Sequence, residues 1–89
     1  MITAIVLIKA EKGALPKLGE ELAAVPGVSE VYSVTGDMDF IAMVRAKEHD
    51  DLADIVTRRL AQVTGVARTE THVAFKAFSK HDLETLFAP

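Results

Sequence analysis

The segment most suited to binding chemistry is a glycine flanked by polar and acidic residues near the middle of the chain, Val34-Thr35-Gly36-Asp37-Met38-Asp39. Glycine has no Cβ, so the backbone at Gly36 can approach a ligand closely. Free backbone N–H groups there could hold a carboxylate, and Asp37 or Asp39 could pair with an ammonium group. The alternative is that Gly36 and Asp37 only form a hairpin turn and that Asp39 stays solvated.

A second candidate is a pair of hydroxyl side chains, Thr69 and Thr71, two residues apart in a predicted strand. Residues at this spacing lie on one face of a strand, where both hydroxyls could contact the polar end of a small ligand. Threonine is also an ordinary strand residue, so the pair is compatible with a purely structural role.

No set of residues predicts catalysis, a metal or a cofactor. His49, His72 and His81 include no pair at a spacing of three or four, and the chain has no cysteine. The absence of cysteine excludes thiolate metal sites, disulfides and cysteine nucleophiles. Neither a Gly-x-Ser-x-Gly elbow nor a phosphate-binding glycine loop is present.

Composition indicates one small globular domain: 89 residues, 49% hydrophobic, with a net charge of −3. The negative charge argues against autonomous nucleic-acid binding, which depends on Lys and Arg neutralising phosphates. The longest apolar run, residues 2–8, is far shorter than the roughly 20 residues of a membrane-spanning helix. No secretion signal is recognisable, so we expect a cytoplasmic protein without membrane association.

Hydrophobic periodicity predicts the element order β-α-β-β-α-β. The first strand, residues 2–8, is apolar at both parities, as a central strand covered on both faces would be. Two amphipathic helices follow. The first carries Leu15, Leu18, Leu22 and Val25, and the second begins near Asp50 and presents on one side Leu52, Ile55, Val56, Leu60 and Val63. The strands at 28–35 and 40–44 form a hairpin, and the last runs from residue 66 to about 78.

The two halves resemble each other, since Leu22-Ala23-Ala24-Val25-Pro26-Gly27-Val28 parallels Leu60-Ala61-Gln62-Val63-Thr64-Gly65-Val66. Two βαβ halves with right-handed crossovers predict an α+β, ferredoxin-like domain over residues 1–78: a four-stranded antiparallel sheet with both helices on one face. Residues 79–89 are expected to form a short terminal helix. The uncovered sheet face carries apolar side chains, so we expect a homodimer formed through the sheet.

With these elements placed, the chain resembles the ligand-binding domain of the Lrp/AsnC (feast/famine) transcription regulators, in a stand-alone form without a helix-turn-helix. The resemblance covers residues 2–78 and is carried by Pro26-Gly27-Val28, by the hairpin from Val31 to Phe40, and by Gly65-Val66-Ala67-Arg68-Thr69-Glu70-Thr71. It implies that dimers assemble into rings of about eight subunits, with amino-acid effectors bound between dimers.

The resemblance also implies roles for individual residues. Thr35, Gly36, Asp37 and Asp39 would contact the main-chain charges of the effector, Thr69 and Thr71 would add hydroxyls, and Tyr32 would form a wall of the pocket. Without a helix-turn-helix in residues 1–89, we expect no direct DNA binding, and regulation by mixed assembly with full-length Lrp/AsnC regulators.

Two other functions are compatible with the sequence. A small cofactor-independent monooxygenase of the dimeric ferredoxin-like barrel type would enclose its substrate between sheets, where His72 could assist. A purely structural assembly domain would use the apolar stripe Leu83, Leu86 and Phe87 as a docking element.

Overall fold

The computed structural model describes residues 1–78 and Lys80. The elements follow one another as β1 (Ile2–Ala10), α1 (Leu15–Ala23), β2 (Val28–Ser33), β3 (Phe40–Ala46), α2 (His49–Asp54) and β4 (Val66–Ala74). After Asp54, α2 continues as a π-helix over Ile55–Leu60. The predicted order β-α-β-β-α-β is confirmed. Apart from Lys80, the predicted terminal helix over residues 79–89, including its stripe Leu83, Leu86 and Phe87, lies outside the described residues.

The four strands form one antiparallel sheet in the order β2-β3-β1-β4. β1 pairs with both β3 and β4, so its prediction as a central strand is confirmed. β2 and β3 are the arms of the predicted hairpin. With both helices connecting strands of this sheet, the ferredoxin-like α+β fold is confirmed.

One face of the sheet is sealed by the helices. The even-numbered residues Ala4, Val6 and Ile8 of β1 are fully buried there. They pack in one cluster with side chains from β3 and both helices, namely Leu18, Leu22, Phe40, Ala42, Val44, Ala46, Leu52, Ile55 and Leu60. Such a cluster supplies the main favourable free energy of folding, because apolar area is removed from water.

The internal repeat extends through the core. Ala4, Val6 and Leu22 recur 38 positions later as Ala42, Val44 and Leu60, and all six are fully buried. Gly27 and Gly65 are related by the same offset, and both have positive φ, +100° and +103°. A Cβ at Gly27 would lie 2.4 Å from Cδ1 of Ile55, so this turn also requires glycine for close packing.

Several predicted boundaries and contacts are corrected. Leu15 is half exposed instead of facing the core, because it lies in the first turn of α1 at the edge of the sheet. β2 ends at Ser33, where the hairpin loop begins. β4 ends at Ala74, which pairs with Thr3 near the start of β1, so the predicted extension to residue 78 has almost no neighbouring strand left to pair with.

The π-helical part of α2 was not predicted. The N–H of Ala61 donates to the carbonyl of Val56, five residues earlier, at 3.0 Å. Wider turns bring residues five apart towards the same side, which lets Ile55 and Leu60 both enter the core. Of the residues predicted on one side of this helix, Leu52, Ile55 and Leu60 are buried, whereas Val56 and Val63 are only partly buried. The backbone that carries them is not a uniform α-helix.

The opposite face of the sheet, here called the open face, is not covered by any described residue. Its centre consists of Ile5 and Leu7 from β1, paired with Met43 and Ile41 from β3. All four side chains are only partly buried. Charged and polar side chains surround them, namely Lys9, Glu30, Tyr32, Arg45, Arg68, Glu70 and His72.

Among the described residues, no helix is both long enough and apolar enough to cross a membrane.

Candidate functional site

The candidate site is the loop of residues 34–39 between β2 and β3, here called the hairpin loop. The N–H of Val34 donates to the carbonyl of Asp39 at 3.0 Å, which closes the loop. The N–H of Asp39 in turn donates to the carbonyl of Ile8 at 2.9 Å. The next residue, Phe40, is buried against Gly19 of α1, 3.1 Å from where a Cβ would lie. The loop is thus anchored at its β3 end.

Asp39 anchors the loop with its side chain as well. One carboxylate oxygen accepts a hydrogen bond from the N–H of Ala10 at 2.7 Å and lies 3.9 Å from Nζ of Lys9. The side chain is only 24% exposed. One carboxylate oxygen of Asp39 is therefore engaged by the end of β1, so the side chain is not simply solvated.

The tip of the loop has the opposite character. Gly36 adopts φ +108°, a left-handed conformation that residues with a Cβ rarely take. The side chain of Asp37 is 86% exposed. Within residues 1–78 and 80, the backbone N–H groups of residues 35–38 have no hydrogen-bond acceptor. The tip therefore has four consecutive backbone N–H groups without an acceptor, next to the exposed carboxylate of Asp37.

Two cations border the loop, and the sequence did not assign either to the site. Nζ of Lys9 donates to the carbonyl of Asp37 at 2.7 Å. A guanidinium nitrogen of Arg68 lies 3.5 Å from a carboxylate oxygen of Asp37 and 3.5 Å from the sulfur of Met38. Lys9 and Arg68 are direct cross-strand partners of β1 and β4, a pairing that only the strand register reveals.

The other predicted site residues lie on two different faces of the sheet. Thr69 and Thr71 pair with Ile8 and Val6, so their side chains are on the helix-covered side of β4. Tyr32 pairs with Ile41 and therefore lies on the open face. One subunit cannot line a single pocket with both the threonines and Tyr32.

Although the side chains of Thr69 and Thr71 point to the side of the sheet on which the helices lie, the helices do not extend over β4 itself. Thr71 is exposed, Thr69 is partly buried and Val73 is 43% exposed. The hydroxyls of this strand are thus accessible to another molecule that approaches the edge of the sheet.

Tyr32 is tied to its neighbour on the same strand face. Its hydroxyl donates a 2.5 Å hydrogen bond to the carboxylate of Glu30. This hydrogen bond raises the pKa of Tyr32 above its ordinary value, because it is available only to the protonated phenol; the negative charge of Glu30 acts in the same direction.

The described histidines do not converge. His49 begins α2, and His72 lies on the open face with Nε2 3.1 Å from the carboxylate of Glu70. His81 lies outside the described residues. In the described part of the chain, no three His, Asp or Glu side chains are grouped as metal ligation would require.

The fold and the loop define a class: a small ferredoxin-like domain whose β2–β3 loop presents backbone donors and an acidic side chain. The family model of the Lrp/AsnC ligand binding domain matches residues 3–83. The chain belongs to this family, and the predicted resemblance is confirmed.

A relative by sequence is an uncharacterized HTH-type transcriptional regulator of Pyrococcus furiosus, which is 38% identical over 76 residues. The match covers 82% of this chain and 51% of that protein, so the chain spans about half the length of this relative. This relative and the family model favour a regulatory domain over the monooxygenase interpretation.

Two solved structures extend the comparison. A protein of Thermus thermophilus superimposes with a TM-score of 0.82 at 48% identity, covering 90% of this chain and all of that one. A transcriptional regulator of Neisseria meningitidis, solved as a complex with L-Met, gives a TM-score of 0.79 at 16% identity, covering 88% of this chain and 52% of that one. The second similarity concerns the fold alone.

Proposed function

We propose that this chain is an oligomeric effector-binding domain of the Lrp/AsnC type, which binds a small amino acid at the hairpin loop where two dimers meet. The observation that carries the proposal is the composition of the loop tip. Four backbone donors at residues 35–38 suit a carboxylate, and the exposed Asp37 suits an ammonium group. An amino acid carries both charges on one carbon.

The rigidity of the loop supports this proposal. Asp39 and Phe40 hold the loop against β1 and α1, so a ligand does not have to order the backbone when it binds. Preformed sites bind more tightly, because the entropy cost of ordering is met during folding. Asp39 contributes to binding by holding the loop in place, whereas Asp37 and the backbone of Gly36 meet the ligand.

A homodimer formed through the open face is the second part of the proposal. Ile5, Leu7, Ile41 and Met43 form a contiguous apolar centre with a polar surround, which is the anatomy of a protein interface. Burial of about 800 Å² per subunit is typical of stable complexes. A second copy offers the same surface, so the contact can be symmetric and closed.

Dimers would then meet near the hairpin loops, in a closed ring for which we expect eight subunits. Thr69 and Thr71 are accessible on the edge strand β4, so they can reach a loop of a neighbouring dimer. Tyr32 is exposed at the other edge of the sheet and can close the pocket from a further subunit. Effector binding at such a junction would stabilise the ring, since a ligand favours the state that binds it.

We further propose that the domain acts on transcription through full-length Lrp/AsnC regulators instead of contacting DNA itself. The relative from Pyrococcus furiosus is named a transcriptional regulator, and the match covers half of it. The net charge of −3 argues against autonomous binding to nucleic acid, which depends on Lys and Arg neutralising phosphates. Mixed assembly through the shared domain would transmit the effector signal.

Calorimetric titration of the purified protein with each of the twenty amino acids tests effector binding. At least one amino acid should bind, and Asp37→Asn should weaken that binding about 10- to 100-fold, the usual effect of removing a charge-assisted hydrogen bond. Asp51→Asn is the matched control, because Asp51 is an exposed aspartate on α2, far from the loop in sequence. Binding by none of the twenty, or equal weakening by both variants, would contradict the proposal.

A further inference from the structure

The cross-strand pair of Lys9 and Arg68 places two positive charges side by side at the end of the sheet. Like charges directly opposite each other on neighbouring strands are destabilising unless a counter-charge compensates them. Asp39 lies 3.9 Å from Lys9 but already accepts the hydrogen bond of Ala10. The compensating charge beside Arg68 is the carboxylate of Asp37.

The ion pair between Asp37 and Arg68 is loose and open to water. The closest nitrogen and oxygen are 3.5 Å apart, and the two side chains are 86% and 63% exposed. Charge-assisted hydrogen bonds of full strength are shorter, at about 2.7–2.9 Å. Exposed ion pairs contribute little to stability, so this pair can be opened at little cost.

We infer that Arg68 is a carboxylate-binding residue of the effector site and that its ion pair with Asp37 occupies the place of the ligand's two charges. This inference rests on the proposed function. A zwitterionic amino acid inserted between the two side chains replaces one ion pair with two, since its ammonium group meets Asp37 and its carboxylate meets Arg68. The backbone donors of residues 35–38 complete the carboxylate contacts.

Lys9 is a positioning residue in this arrangement. Its ammonium group donates to the carbonyl of Asp37 at 2.7 Å, which leaves the carboxylate of Asp37 free to turn towards either Arg68 or a ligand. The opposite charges of Asp37 and Arg68 determine which class of ligand the site prefers. A molecule with only an amine or only a carboxylate opens the internal pair and leaves one partner uncompensated, so it binds more weakly than the zwitterion.

The experiment compares the amino acid that binds the wild type with its C-terminal amide, which keeps the ammonium group and lacks the carboxylate. Calorimetry is carried out on the wild type, Arg68→Gln, Arg68→Lys and Arg58→Gln. The wild type and Arg58→Gln should prefer the amino acid over its amide by about 10- to 100-fold. Arg68→Gln should lose most of this preference, and Arg68→Lys should keep part of it.

A double variant, Asp37→Arg with Arg68→Asp, separates ligand binding from loop positioning. This variant preserves an ion pair at the same place with the two charges exchanged. If the pair only positioned the loop, the variant would still bind the amino acid. We expect binding to be lost while thermal unfolding stays close to that of the wild type.

Three results would overturn the inference. The first is that Arg68→Gln weakens binding of the amino acid and of its amide equally, and the second is that it leaves both affinities unchanged. The third is that the double variant binds the amino acid as the wild type does. Each of these leaves effector binding by the wild type intact and removes only the role of Arg68. If the wild type binds none of the twenty amino acids, the proposed function fails, and this inference fails with it.

Discussion

The two faces of the sheet are built from the same strands and differ in whether the chain's own helices cover their apolar side chains. Along β1, Ala4, Val6 and Ile8 are fully buried beneath the helices, whereas their neighbours Ile5 and Leu7 are only partly buried. Both sets are apolar. One chain therefore completes the helix-covered face by itself, and the open face carries comparable side chains that no described residue covers. This apolar surface is where we propose that a second copy binds.

The largest effect is expected on the helix-covered face. Val6→Asp would bury an uncompensated carboxylate among the core side chains, at a cost of about 3–5 kcal/mol or more. That is comparable to the whole stability of a small domain, so the variant should lose its fold. Far-UV circular dichroism checks this, and a native spectrum with cooperative unfolding would show that the core is not where the structure has it.

A smaller effect on folding is expected one residue further along the same strand. Leu7→Asp places a carboxylate on the open face, where it stays hydrated in a single subunit but not between two. The variant should keep its secondary structure and sediment as a monomer. Leu15→Asp serves as the control, because Leu15 is a half-exposed leucine on α1, away from the open face. Dissociation by both variants, or by neither, would argue against an interface through the open face.

The smallest expected effect concerns the edge of the open face. Glu30→Gln removes the carboxylate that accepts the hydrogen bond of Tyr32, so the pKa of Tyr32 should fall towards its ordinary value. The raised pKa means that the hydrogen bond contributes to stability at lower pH and is lost as the pH rises through the phenol's titration. Tyr32 is the only tyrosine, and there is no tryptophan.

A spectrophotometric titration therefore reports on Tyr32 alone, and Glu48→Gln is the matched control. An unchanged pKa of Tyr32 in Glu30→Gln would contradict the assignment of the raised pKa to this hydrogen bond.

The strand register explains what the sequence could and could not predict. The central position of β1 followed from its apolar side chains at both parities, and the hairpin followed from the Gly-containing turn between two strand-like runs. The position of Arg68 beside the hairpin loop could not be foreseen, because Lys9 and Arg68 become partners only through the pairing of β1 with β4. Local pattern carries no information on register between strands so distant in sequence.

The role of Asp39 was hidden for a similar reason. As a residue beside a glycine turn, it was compatible with ligand binding and with solvation. In the structure one of its carboxylate oxygens accepts a hydrogen bond from the N–H of Ala10, a contact between residues 29 positions apart. The π-helix after α2 was also not foreseen, since the hydrophobic pattern predicted a helix there without distinguishing its hydrogen-bond type.

The central claim is that a second copy of the chain completes the open face and thereby creates the junctions where the effector binds. Sedimentation equilibrium of the wild-type protein at low micromolar concentration tests it most directly. The account predicts a mass of two subunits or a whole multiple of two. A folded protein that sediments as a single subunit throughout this range would contradict it.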